Sequence, residues 1–301
     1  NTYFISPDGI TVQHNELEMM KKEDYPALIE DPVNFFATNL IPKRYKGVTI
    51  EKMIRAMKRF MERGQELVKA TNYVKENFGL PTLYGVPGGA SIKPPMDTLF
   101  DYLRGFDVLT DLRRCPDYVK QATEVLLRFS LASLANSGIY EGAPVRESAF
   151  PLVCTMFHSP TYLSSKNFNE YFAPHYSKMV EMAHATGRKG LVFLEGEFER
   201  HYDWLNSLPQ NYLIAHFEKD DIFKAKKAVG DNVTIMGGIP LNMLKYSDKQ
   251  TCIDYTKRVI DECAPGGGFV FAPDLSMIAP DDAKVENLVA VFEFVQDYGK
   301  Y

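Results

Sequence analysis

The sequence predicts a parallel α/β fold of the barrel type, and three observations predict it. Short apolar runs alternate with stretches of helical periodicity along most of the chain. Two of those runs, LVFL and YLIA, stop at residues able to hold a proton or a metal, Glu195 and His216. In an α/β barrel the carboxyl ends of the strands form the active-site rim, so polar groups placed directly after buried strands read as chemistry. The third observation is size: 301 residues, 45% hydrophobic and 24% charged, suffice for one large core built from repeated strand–helix units.

In chain order, TYFISPDGITVQ (2–13) alternates apolar and polar residues around Pro7-Asp8-Gly9, a hairpin signal. A long helical pattern follows from about residue 49 and stops at Gly79. Strand-like LPTLYGV (80–86), a helix near 96–104, a helix at 116–137 and strand-like GIYEGAP (138–144) come next. A helix at 166–186 precedes LVFLEG, the helix ERHYDWLNSL follows it, and YLIAHFE is succeeded by the helix DIFKAKKAVG. VTIMGGIP (233–240), a helix at 248–263, GGGFVFAPD (266–274) and a last helix near 282–298 complete the series. Six strand-like segments separated by helices imply a parallel sheet covered by helices. Two more would make eight, and the chain starts at Asn1 without Met, so the reading allows for strands in a missing N-terminal part. Residues 1–79 read as a hairpin and helical extension and 80–301 as barrel units, with no composition break to divide the domain.

The net charge of −5 argues against nucleic acid, which demands clustered Lys and Arg. No apolar run approaches the ~18 residues of a membrane span and no signal peptide is visible. Cys115, Cys154, Cys252 and Cys263 lack metal-binding spacing, so they read as reduced, small core residues of a cytoplasmic protein.

Four stretches then carry a resemblance: 95–126, beginning PMDTLFDYLRGFD; 158–189, beginning HSPTYLSSKNF; MGGIPLNML at 236–244; and 266–300, beginning GGGFVFAPDLS. In order and spacing they resemble the uroporphyrinogen decarboxylase superfamily, from about residue 80 onward. The resemblance implies a (β/α)8 TIM barrel with an N-terminal extension. That superfamily contains decarboxylases, whose N-terminal Arg-rich substrate loop is not seen here, and cobalamin-linked methyltransferases. The thiol-directed methyltransferases place His-x-Cys-Gly where this chain has Phe193-Leu194-Glu195-Gly196, and a further Cys close to Leu275. Glu195 and His216, on consecutive strand ends, resemble instead the carboxylate and imidazole zinc ligands of the branch that demethylates aryl methyl ethers.

The implied activity is transfer of a methyl group from a methoxylated aromatic to the Co(I) corrinoid of a separate carrier protein, assisted by zinc. Hard oxygen and nitrogen ligands suit an ether oxygen better than thiolates do. Catalytic zinc takes three protein ligands, so a third is required, with Glu147 preferred over Asp274. Carrier proteins hold cobalamin with Asp-x-His-x-x-Gly, and the nearest match, Met182-x-His184-x-x-Gly187, lacks the Asp. Tyr84, Arg146, Met156 and His158 are candidates for substrate binding, with Tyr140, Phe150 and Phe157 as further aromatic lining.

Each residue also has a plainer reading. Glu195, Glu197 and Glu199 form a solvated face, His216 is a core histidine, His158 caps a helix, and Arg146 pairs with Glu147. His201, beside Tyr202 and Trp204, reads as packing, and Gly266-Gly267-Gly268 as a close-packed strand start in preference to a phosphate loop. Another corrinoid or thiol methyltransferase, a decarboxylase, and a barrel that only binds a corrinoid or aromatic ligand remain the alternatives.

Overall fold

In a computed structural model, which describes residues 3–7, 9–14, 18–79, 90–91, 93–143 and 152–300, the chain divides into two compact units. The first comprises residues 1–4 and 13–190, the second residues 5–12 and 191–301. The hairpin expected at the start is present: β1 (Tyr3–Ile5) and β2 (Val12–His14) form a two-stranded sheet of their own. Its turn is closed by Gly9 N–H donating to the Ser6 carbonyl at 2.8 Å.

The first unit is mostly helical. Thr49 caps the long helix Ile50–Phe78 by accepting the Lys52 N–H, and Gly79 ends it in the left-handed conformation. The helix Pro116–Asn136 matches its sequence pattern. The single helix expected at 166–186 is two, Ser165–Tyr171 and Ala173–His184, divided where Pro174 has no N–H to continue the first. GIYEGAP is not a strand: residues 138–143 form turns, and the buried Arg188 guanidinium donates to the Gly138 carbonyl at 2.8 Å. The strand comes later, as β4 (Leu152–Phe157), which pairs in parallel with the short β3 (Ala90–Ser91). LPTLYGV lies outside the described residues.

The second unit follows the alternation read from the sequence. It begins at Leu191, within β5 (Lys189–Leu194), and continues through β6 (Leu213–Phe217), β7 (Thr234–Ile239) and β8 (Phe269–Pro273), neighbours in chain order. Parallel pairing sets His216 opposite Met236 and Met236 opposite Val270. Helices separate successive strands, Ile222–Val229 between β6 and β7 and Lys249–Cys263 between β7 and β8. Asp221 and Asp248 cap these two by accepting N–H groups of their first turns. The result is an α/β fold with a parallel sheet, its core including Ile239, Leu241, Leu244, buried Cys252 and Val291. The three glycines before β8 are an exposed turn and no close-packed strand start, because all three adopt positive φ and a Cβ on Gly266 or Gly267 would meet nothing.

Among the described residues, no helix is long and apolar enough to cross a membrane. Gly238 is the position where packing and backbone both demand glycine. Its φ is +138°, and an added Cβ would lie 3.0 Å from Val259 Cγ1 and 3.2 Å from the Phe271 ring. Gly238→Ala is expected to destabilise the protein by about 1–3 kcal/mol. A lowered urea midpoint at unchanged slope is the predicted readout; an unchanged midpoint would show that the strand relaxes at no cost.

Candidate functional site

At the carboxyl ends of the second unit's strands, one histidine is held by its backbone surroundings. His216, buried on β6, places Nε2 2.7 Å from the carbonyl oxygen of Pro273, the last residue of β8. A carbonyl only accepts, so Nε2 carries the proton and, in the neutral ring, the lone pair resides on Nδ1. The Phe193 ring packs edge-on against the imidazole, with centroids 5.2 Å apart and planes at 76°.

Side chains alternate along a strand, so the contact between Phe193 and His216 sets the layering. Glu195 and Glu218 follow directly on β5 and β6, at the rim. Both are half-buried, and Glu218 Oε2 accepts the Gly196 N–H at 2.9 Å, tying the ends of β5 and β6 together. A cavity of about 410 Å³ opens beside Glu218, lined also by Asp220, Pro240, Tyr255, Arg258 and Asp274.

The acidic groups around this rim divide by occupation. Asp274 Oδ1 accepts the Leu241 N–H at 2.8 Å, and the Asp274 N–H donates to Ile239 O, so this carboxylate fastens the start of the following helix to the end of β8. Burial raises its pKa, against the lowering effects of the Leu241 N–H and of His216. Asp220 accepts the backbone N–H groups of Phe198 and Glu199, and Asp221 caps the helix behind it. These three carboxylates hold backbone in place.

The first unit has a second charged cluster at the end of β4. Asp101 accepts from the Lys93 ammonium and bonds His158 Nδ1 at 2.8 Å, while Lys93 also lies over the Tyr102 ring at 4.9 Å. The carboxylate fixes the His158 proton on Nδ1. One turn away, the fully buried Asp97 accepts the Ser159 N–H at 2.8 Å and the His158 N–H at 3.4 Å. Burial, reinforced by the charge of Asp101, pushes the Asp97 carboxyl up to about 6, although the Ser159 hydrogen bonds pull the other way. His158 is therefore more than a helix cap: its ring is oriented by one aspartate and its backbone by another.

Met156 lies on β4 and is partly exposed, whereas Phe157 is core, packed against Phe172 and Tyr176. Tyr140 is exposed in a turn. His201 is buried against Phe198, as its sequence position suggested. Tyr84, Arg146, Glu147 and Phe150 lie outside the described residues. Among the described residues, no three His, Cys, Asp or Glu side chains are grouped to hold a metal, so Asp274 does not complete a set with Glu195 and His216. Glu218, Asp97, Asp101 and Lys93 escaped the sequence reading. The spacing of Asp97 and Asp101, four apart at a helical stretch after Lys93-Pro94-Pro95, was the available signal.

The sequence pattern of uroporphyrinogen decarboxylase (URO-D) matches residues 36–298. The chain belongs to that family. The family match covers both units, including β3 to β8 and both charged clusters. Among solved structures, a methyltransferase from Methanosarcina mazei is similar at a TM-score of 0.54 and 14% sequence identity, which shows a shared fold. The alignment covers 77% of this chain and 64% of that one, so the chain spans less than two thirds of its neighbour. No curated protein matches the chain.

The raised Asp97 carboxyl gives this family member a pH signature. A carboxyl whose folded pKa lies above 3.8 binds its proton more tightly when folded, so that contribution to stability is complete below the unfolded value and lost as pH rises through about 6. Asp97→Asn keeps an acceptor for Ser159 and removes the titration. Relative to wild type, the variant should gain stability as pH rises from about 4 to 6. Denaturant midpoints across that range test this, and a constant difference would reject it.

Proposed function

We propose that this chain transfers a methyl group from a methoxylated aromatic to the Co(I) corrinoid of a separate carrier protein, with zinc as the assisting metal. The observation that supports this most is the His216–Pro273 hydrogen bond. A metal-binding imidazole commonly donates its second ring N–H to a backbone carbonyl, which orients the ring and leaves the other nitrogen to bind. Glu195, at the neighbouring strand end, adds a carboxylate oxygen.

The donor set fits a zinc ion bound without sulfur. Cys154 is inside β4, Cys252 and Cys263 are on the helix Lys249–Cys263, and Cys115 precedes the helix Pro116–Asn136, so none of the four stands at a strand's carboxyl end. Glu195 and His216 would hold the ion and account for two of the three protein ligands that a catalytic zinc takes. When bound, it supplies Lewis acidity toward the ether oxygen, whose charge grows as the methyl–oxygen bond breaks.

The chain's own groups do the rest. Phe193 presents an apolar wall beside His216 and limits water there. His216 directs its Nε2 proton to the Pro273 carbonyl, which orients the ring so that Nδ1 is the nitrogen left to bind. The phenolate product leaves as an anion and takes up one proton from solvent, and the methyl group departs on the carrier. The carrier is separate because this chain lacks the Asp-x-His-x-x-Gly loop of corrinoid-binding proteins.

Methyl-corrinoid formation, followed spectroscopically with an excess of Co(I) carrier, tests the reading. Aryl methyl ethers should be demethylated far faster than methanol, methylamines or methyl thiols, since a resonance-stabilised phenolate departs more readily than an alkoxide. Glu195→Ala and His216→Ala should each lose the metal and at least about 100-fold in rate, with circular dichroism unchanged. Full zinc content and activity in both variants, or a preference for a thiol donor, would overturn the assignment.

A further inference from the structure

The long helix Ile50–Phe78 contains no buried residue, although it runs for 29 residues, about 43 Å at 1.5 Å per residue. Phe60 is 81% exposed and Ile50 76%, in a helix whose other side is charged. Apolar or small residues recur every seven positions from Ile50 to Phe78, and a second series does so from Met53 to Val74. Four heptads held strictly to a 3.5-residue repeat form the seam by which one helix packs on another. A helix lying on a membrane has no need of that repeat. Gly64 and Thr71, at the seam's centre, would also bury little in lipid.

We infer that this helix pairs with the same helix of a second copy of the chain, antiparallel, forming a two-fold dimer. Three observations favour a second copy. The first is area: eight exposed large apolar side chains on the helix, at roughly 100 Å² each, reach about 800 Å² per partner, the share of a standard stable interface. The second is shape. A Cβ on Gly64 would meet nothing within 4 Å, so the seam carries an open notch one turn from its most exposed aromatic ring, Phe60.

In an antiparallel pair centred on residue 62, the Phe60 ring of each copy fills the Gly64 notch of the other. The same register faces Ile50 with Val74 and Met57 with Leu67. A two-fold axis makes each contact twice, the self-complementarity that such dimers require. The third observation is charge. Residues 50–63 contain five Lys or Arg and two Glu, whereas residues 64–78 contain two Lys and two Glu. A parallel pair would set the two cationic halves side by side; the antiparallel pair sets each against a neutral half.

Light scattering coupled to gel filtration of the full chain at micromolar concentration tests the dimer independently of any catalytic reading. Wild type should run at twice 34.2 kDa. Phe60→Glu should run at 34.2 kDa with unchanged circular dichroism, because the residue it replaces is exposed in a single copy. Gly64→Phe, whose Cβ would meet nothing within 4 Å in its own chain, fills the notch and should also be monomeric. Phe60→Ala combined with Gly64→Phe, which exchanges ring and notch, should restore the dimer. A monomeric wild type, a dimer that survives Phe60→Glu, or a double variant that stays monomeric would overturn the inference. A monomeric wild type that binds anionic vesicles would assign the face to a membrane instead.

Discussion

The hydrogen bond from His216 Nε2 to the Pro273 carbonyl is the constraint on which the second unit's rim depends. It links β6 to β8 across β7, and it does so through a side chain, where the sheet uses backbone. A short bond to a carbonyl permits one tautomer only, so the geometry decides which imidazole nitrogen is available. The next residue continues the fastening: the Asp274 N–H meets the Ile239 carbonyl, and its carboxylate meets the Leu241 N–H. Two consecutive residues thereby fix a histidine, a strand end and a helix start. Disturbing Pro273 or Asp274 would therefore reach His216 without touching it.

Around that constraint, the chemistry of the rim is one of oxygen and nitrogen. Carboxylates occupy the strand ends, whereas the cysteines lie within β4, on the helix Lys249–Cys263 or at a helix cap. The distribution matters because thiolates favour a zinc that activates a thiol, whereas carboxylate and imidazole leave a metal more Lewis acidic. Several of the carboxylates are committed to backbone N–H groups. Asp220, Asp221 and Asp274 are each fastened to backbone N–H groups, so a count of acidic residues at the rim would overstate how many donors remain.

How much was legible in the sequence depended on periodicity. β6 was readable because YLIA is uniformly apolar, and its helix partner because Asp221 stands at the cap. Glu195 and His216 were found since each interrupts or ends an apolar run. Glu218 was not, because it lies beyond a residue already taken as the strand's functional tip, and only the Gly196 hydrogen bond gives it a place. GIYEGAP misled because Ile139 and Tyr140 have strand-like side chains, while the flanking glycines and the buried Arg188 turn the backbone. LVCTMF, the true strand, was hidden by its position after a polar stretch. The Lys93–Asp101–His158 cluster brings His158 to a residue 57 positions earlier, and no local pattern reports such a distance. The long helix was the easiest element to read, yet its exposure was invisible, since amphipathic periodicity demands a partner without naming one.

X-ray absorption at the zinc edge, on the full chain loaded with one equivalent of the metal, tests the central claim most directly. The account predicts a first shell of nitrogen and oxygen alone, at about 2.0–2.2 Å, with imidazole scattering that disappears in His216→Ala. A sulfur scatterer at about 2.3 Å, or a shell unchanged by that substitution, would contradict it.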